Sequence, residues 1–192
     1  MKHLFSKLLN NRWVYYRKAF IFQAAPKNNV QQKESNNLWV SIFPASMQQI
    51  EKLKGYEHLP KLWKEQFIDR LASENYQLFL IRSDNRLVYF SWIAHCNEPD
   101  LYLNFKSHSV SKEPYLFHCY TLSEFRGKGL HQYATTYLIN HYLKKNQSLW
   151  GIVYGDNKPA IKAWEKAGMR RIGKVNSYGL FNVKKTKYFV DN

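Results

Sequence analysis

Acidic residues are scarce in this chain: 14 Asp and Glu face 29 Lys and Arg, which leaves a formal net charge of +15 over 192 residues. An anionic partner is expected, whether nucleic acid, an anionic membrane face or a phosphate-rich small molecule; a solvated surface with no specific partner is the alternative. Cysteine is scarcer still. Cys96 and Cys119 are the two present, with no Cys-x-x-Cys spacing, so a disulfide framework is excluded and a reducing, cytoplasmic setting is expected. No run reaches the roughly 20 apolar residues of a membrane span, and the longest apolar stretch, residues 87–94, is interrupted by Ser91. The first residues scatter Lys2, Lys7, Arg12, Arg17 and Lys18 among apolar positions without a continuous apolar core and cleavage site, so a secretory leader is not expected. Internal repeats and low-complexity blocks are absent.

What remains is 45% hydrophobic and 22% charged, enough apolar material for one well-buried domain. A domain of this size buries roughly 70% of the surface its unfolded chain exposes, without help from disulfides or a structural metal. The one dip in apolar density, residues 26–37, reads as a loop. It divides a basic, aromatic extension (1–37, with a strand or hairpin at 12–23) packed on the same domain from a main body at 38–192.

Residues 38–43 read as a strand that Pro44 stops. Ser46 and Gln49 have capping-box spacing ahead of a helix over 46–55. Leu59, Leu62, Trp63, Phe67 and Leu71 form an apolar stripe for a second helix over 60–74. Ser83, Asp84 and Asn85 join two β-rich runs, 76–82 and 86–95, into a hairpin. The strand at 114–121 is apolar or aromatic on both faces and should be central. A helix over 129–145, a strand over 149–154 and a helix capped by Asp156 or Asn157, with Pro159 in its first turn and Gly168 at its end, come next. Strands at 169–175 and 179–189 finish an α/β (α+β) layer structure with helices on both sheet faces.

The stretch richest in chemistry is Glu124-Phe125-Arg126-Gly127-Lys128-Gly129-Leu130, between a buried strand and an amphipathic helix. Two glycines let the backbone bend, and the free amides at the next helix start, beside Arg126 and Lys128, form a site for phosphate oxygens. The third glycine of G-x-G-x-x-G is replaced by Gln132, and no G-x-x-x-x-G-K-[ST] occurs, so the common dinucleotide and P-loop readings fall.

This turn resembles the acyl-CoA-binding motif Q/R-x-x-G-x-G/A of the GNAT superfamily of N-acetyltransferases, with Arg126 and Gly129 matching and His131 in place of the final Gly or Ala. A second match lies downstream, where Asn157, Ala160, Trp164, Glu165, Lys166, Gly168 and Met169 are similar to the family's N-x-x-A-x-x-x-Y-E-K-x-G-F segment. The run from Tyr115 to Leu130 also resembles a bacterial subgroup often associated with surface-polysaccharide genes. The resemblance implies a mixed, mostly antiparallel sheet of six to seven strands whose fourth and fifth strands, about 114–121 and 148–154, splay to admit the pantetheine of acetyl-CoA. Backbone groups of Tyr120 and Thr121 would pair with the cofactor, Asn157 would touch its pantetheine arm, and the amides of Arg126, Gly127, Lys128, Gly129, Leu130 and His131 would hold its diphosphate. Coenzyme A carries several negative charges, which suits a basic chain.

Trp164 occupies the family position that often holds a tyrosine acting as general acid, and an indole cannot take that role. Tyr154, Tyr120 or a water would have to replace it. Candidate bases are His118, His95, Glu113 and Glu124, with an imidazole suited to taking a proton from an ammonium. The pairs His95-Cys96 and His118-Cys119 point to opposite faces of a regular strand, so no metal site is expected. The reading is an acetyl-CoA-dependent N-acetyltransferase using direct attack on a small-molecule amine, expected to bear phosphate, such as a nucleotide- or lipid-linked amino sugar. Arg170, Arg171, Lys174, Lys184, Lys185 and Lys187 would hold its phosphates, or dock the enzyme on the anionic inner membrane face. A nucleic-acid-binding module, or a non-catalytic protein that only binds coenzyme A, is the alternative.

Overall fold

Alternating apolar and β-branched residues produce eight strands: β1 (Val14–Ala24), β2 (Ser41–Pro44), β3 (Tyr76–Ser83), β4 (Arg86–Ala94), β5 (Tyr115–Thr121), β6 (Leu149–Tyr154), β7 (Arg170–Leu180) and β8 (Val183–Val190). Between them lie α1 (Met47–Glu51), α2 (Lys61–Leu71), α3 (Leu130–Leu143) and α4 (Lys158–Lys166). The computed structural model describes residues 14–24, 41–95, 113–145, 147–180 and 183–190. Cys96 and residues 1–13, 25–40 and 97–112 lie outside these.

All eight strands form one sheet in the order β2-β3-β4-β5-β6-β1-β7-β8. Every neighbour is antiparallel except β5 and β6, which run parallel. The sheet exceeds the expected six to seven strands because β1, supplied by the basic leader, inserts between β6 and β7.

Helices cover both faces. On one, α1, the turn after it and α2 bury Ile50, Leu53 and Phe67 against Leu78, Leu80, Phe90 and Trp92. On the other, α3 and α4 bury Leu138, Ile139, Tyr142 and Trp164 against Phe22, Phe79, Ile93 and Val153. No helix among the described residues is long and apolar enough to cross a membrane.

Several local signals act as read. Gln49 Oε1 accepts from the Ser46 amide at 2.8 Å, and Asn157 Oδ1 accepts from the Ala160 amide at 3.2 Å to cap α4. Gly168 takes a φ of +95° after α4, where a side chain would be strained. The first helix is shorter than expected, five residues, and passes into a bridge at Lys54 and a 3-10 turn over Tyr56–His58. The turn expected at 176–178 is instead strand. Lys18, Arg17 and Tyr16 of β1 pair with Asn176, Ser177 and Tyr178, and this ladder overrides the turn preference of Asn and Ser.

Candidate active site

Strands β5 and β6 pair only at Tyr115–Trp150 and Leu116–Gly151 and then part, leaving the β6-facing edge of β5 without a strand partner among the described residues from Phe117 onward. Gly151 marks the fork. A Cβ there would strike the Trp164 ring, and would lie 2.8 Å from the Leu116 carbonyl. Glycine therefore lets the large indole of α4 seat itself where the strands diverge. The Trp164 indole N–H is buried with no acceptor among the described residues.

Just past the fork β5 bulges. Phe90 pairs with Tyr120 and Trp92 with Phe117, so His118 and Cys119 together face the single residue Ser91. His118 has a φ of +45°, an uncommon conformation for a side-chain-bearing residue. Its ring is pinned by Trp63, Phe67 and Phe90, at centroid distances of 4.8, 6.4 and 5.3 Å.

Arg70 of α2 places Nη1 3.0 Å from His118 Nδ1. A guanidinium can only donate, so Nδ1 accepts and the neutral ring carries its hydrogen on Nε2. Burial, reinforced by the Arg70 charge, pushes the imidazole down to about 4. With Nδ1 occupied and the hydrogen on Nε2, His118 presents a hydrogen-bond donor at the fork.

Tyr120 stands beside His118, packed on Trp63 and Phe90 at 4.9 and 5.6 Å. Tyr154 ends β6 and belongs to the apolar cluster of Ala19, Tyr115 and Trp150, on the same sheet face. The fold thus brings His118 and Tyr120 from one side of the fork, and Tyr154 from the other, to a common face. Three guanidiniums gather with them. Arg126 lies 5.5 Å from the Tyr120 ring, Arg17 lies 5.6 Å from the Tyr154 ring, and Arg70 bonds His118.

Cys119 points to the opposite face, where burial pushes its thiol up to about 12. Other proton acceptors are engaged elsewhere. Glu124 pairs with Arg86 at 2.7 Å. Glu113 accepts from the Ser148 amide at 2.7 Å. His95 follows β4 beside Tyr142, near the closed end where β5 and β6 still pair.

The glycine turn lies between β5 and α3. Gly127 and Gly129 have φ values of +78° and +75°, and a Cβ on either would meet nothing within 4 Å. Gly129 precedes α3 without a side-chain cap, which leaves the first-turn amides to a ligand or solvent. Such a cradle fits a diphosphate.

The side chains around the turn do other things. Arg126 Nε donates to the Thr121 carbonyl at 3.2 Å, bracing the end of β5. Leu130 is buried in the core. His131 turns inward, with Nδ1 3.2 Å from the Tyr89 hydroxyl and its ring 6.3 Å from Trp164. Burial pushes His131 down to about 4, so only its backbone can serve an anion. Lys128 remains exposed.

Asn157 uses Oδ1 as the cap of α4, which leaves its amide hydrogens to a ligand. The basic residues of β7 and β8 divide between two ends of the sheet. Arg170 and Arg171 pair with Gln23 and Phe22 at the closed end, while Lys187 pairs with Asn176 beyond the end of β6. Arg70 carried no sequence signal, being one of many cations on a helix. Gly151, inside an otherwise apolar strand, did carry one.

Residues 44–169 match the model of the acetyltransferase (GNAT) family. The chain belongs to this family. Solved structures share the GNAT fold: a GNAT-family acetyltransferase from Colwellia psychrerythraea superposes with a TM-score of 0.60 at 15% identity, covering 92% of this chain and 61% of that one. A GCN5-related N-acetyltransferase from Sphaerobacter thermophilus gives 0.55 at 10% identity, covering 95% of this chain and 55% of that one. An aminoglycoside 6'-N-acetyltransferase from Acinetobacter baumannii gives 0.50 at 13% identity, covering 68% and 90%. The chain thus spans little more than half the length of the first two. No curated protein matches the sequence.

Proposed function

We propose that this GNAT protein transfers the acetyl group of acetyl-CoA to the primary amine of a small phosphate-bearing molecule, of the class of nucleotide- or lipid-linked amino sugars, by direct attack in a ternary complex. The observation that carries the reading is the fork between β5 and β6, with a strained, donor-locked His118 on one side and an open two-glycine helix start beside it. Acetyl-CoA supplies an activated acyl carbon and a thiolate leaving group.

In this reading the amides following Gly127 and Gly129 hold the diphosphate, the free edge of β5 and Asn157 hold the pantetheine, and Trp164 floors the fork. Cys119, on the opposite face of the sheet with its thiol held protonated, takes no acetyl group in this reading, and attack by the amine is direct. His118 Nε2–H offers a fixed donor to an oxygen on the α2 side of the fork. The acceptor attacks as the free amine, and as the C–N bond forms and the C–S bond breaks Tyr120 or Tyr154 gives its proton to the departing thiolate and takes one from the new amide nitrogen, a relay closed to Trp164. A phosphate on the acceptor is favoured by Arg17, Arg70 and Arg126, which ring the candidate residues on that face.

A free-thiol release assay with acetyl-CoA across simple amines, amino sugars, nucleotide-linked amino sugars and peptides tests the proposal. Turnover should be fastest with the phosphate-bearing sugars, through a lower KM whose advantage shrinks as salt rises. Equal KM values for free and nucleotide-linked amino sugars at every salt concentration would reject the phosphate-bearing acceptor. Absence of thiol release with all amines, despite acetyl-CoA binding, would make this a non-catalytic binder.

A further inference from the structure

Strands β1, β7 and β8 are 11, 11 and 8 residues long and contain eight Lys and Arg but no Asp or Glu. More than half of the net charge of +15 therefore sits in one edge of the sheet. These strands also outrun β6. Tyr154, its last residue, pairs with Ala19, and β1 continues with β7 from Lys18–Asn176 to Val14–Leu180, five residue pairs beyond. The projecting part extends roughly 17 Å past the end of β6.

On the α4-side face of these three strands the cations interleave with aromatic rings, from Arg171 beside β6 to Lys187 beyond its end. Lys18 Nζ lies 5.0 Å, and Arg171 Cζ 3.9 Å, from the same Phe20 ring. Lys174 Nζ lies 4.9 Å from Phe189, and the Tyr16 hydroxyl donates to Asn176 Oδ1 at 3.2 Å. Lys187 occupies the register position beside Asn176. The rings are unusually open: Tyr16 is 54%, Phe189 45% and Tyr178 36% exposed.

Among the described residues no carboxylate is seen paired with Lys18, Arg171, Lys174 or Lys187. Two cations sharing one ring with no counter-charge repel each other, and an external anion relieves that repulsion.

We propose that this face docks on an anionic lipid bilayer. Phosphates of any source would suit the lysines, and the aromatics decide among them. A single-stranded nucleic acid needs open ring faces for its bases to stack on. Here Lys18 and Arg171 lie over Phe20 and Lys174 over Phe189, so cations already occupy those ring faces. Exposed Tyr and Phe set among Lys and Arg suit the headgroup layer, where rings meet the acyl boundary and cations meet lipid phosphates. The inference does not depend on the acetyltransferase reading, because the face lies on the opposite side of the sheet from His118, Tyr120 and Tyr154.

The test is cosedimentation of the full chain with mixed phosphatidylglycerol/phosphatidylcholine vesicles and with phosphatidylcholine vesicles alone. The protein should bind the mixed vesicles and not the neutral ones. Lys18→Gln/Lys174→Gln/Lys187→Gln should bind the mixed vesicles about a hundredfold more weakly, at roughly fivefold per cation near the surface. Lys52→Gln/Lys61→Gln/Lys144→Gln, with the same net charge, should bind as the unaltered chain does. Melting curves of both triple variants establish that they fold. Equal losses in both variants would reduce the effect to net charge and overturn the proposal, as would failure of the unaltered chain to bind mixed vesicles. A single-stranded oligonucleotide that displaces the vesicles and binds more tightly, with its binding lost in the first variant, would assign the face to nucleic acid instead.

Discussion

At the scale of single residues, the Arg70–His118 contact governs what the fork can do chemically. A bulge without that contact would leave His118 free to exchange its hydrogen between two nitrogens, whereas a guanidinium at 3.0 Å fixes it on Nε2. Arg70 is thus a positioning residue. Arg70→Met keeps an aliphatic side chain beside Trp92 and Phe117, whose rings lie 5.4 and 4.8 Å from the guanidinium, while removing the donor and the charge. Nitrogen chemical shifts of His118 should then show mixed tautomers, and its titration should move up from about 4 toward the ordinary 6.5, because one of the two causes depressing it is gone. If His118 serves the reaction as a donor, kcat should fall about tenfold with acetyl-CoA affinity unchanged. A single Nε2–H tautomer that persists in Arg70→Met would show that the aromatic cage alone sets the ring.

At the scale of elements, the turn into α3 makes a sharper demand than a loop usually does. Gly129 precedes the helix with φ at +75° and open space where a Cβ would be, so a substitution there is felt by a ligand more than by the core. Gly129→Asn, which tolerates the left-handed region, should cost about 1 kcal/mol or less. Gly129→Glu adds a carboxylate at the amide cradle and should lower acetyl-CoA affinity at least tenfold, read by calorimetry beside a melting curve. Unchanged affinity in a folded Gly129→Glu variant would take the diphosphate off this turn. The turn was legible in sequence because its chemistry is local: two glycines, two cations and the start of an apolar helical period. The same holds for the 76–95 hairpin and for the Asn157, Pro159 and Gly168 signals around α4. The position of β1 was not legible, since pairing Ala19 with Tyr154 and Val175 is a long-range choice that periodicity does not encode. The misplaced 176–178 turn follows from that, as those residues are strand only because β1 is there to pair with them. The bulge at His118 was hidden for a related reason, being a mismatch between β4 and β5 that neither strand displays alone.

At the scale of the whole molecule, buried histidines tie the fold to pH. His118 and His131 are held neutral in the folded protein, chiefly by burial, with values of about 4 against 6.5 when unfolded. Between these values the unfolded chain binds more protons than the folded one, so stability rises with pH across that window and falls on acidification. The contribution is intact above 6.5 and is lost as pH drops toward 4, at roughly 3 kcal/mol for each ring once both states are fully protonated. His95 and His141 are shifted in the same direction by burial and by nearby lysines, and they add to the slope. The carboxylates Glu57 and Glu124 also weaken the fold on acidification, but their values are lowered from 4.5, so their effect comes after most of the histidine effect. Urea midpoints taken from neutral pH down to about 5 therefore isolate the imidazoles. The midpoint should fall steadily over that range, and His131→Gln, which cannot titrate, should have a shallower slope even if its midpoint at neutral pH is lower. A midpoint that stays flat to about 5 in the unaltered chain would mean that these rings are hydrated in solution, and that His118 is free to act as a base after all.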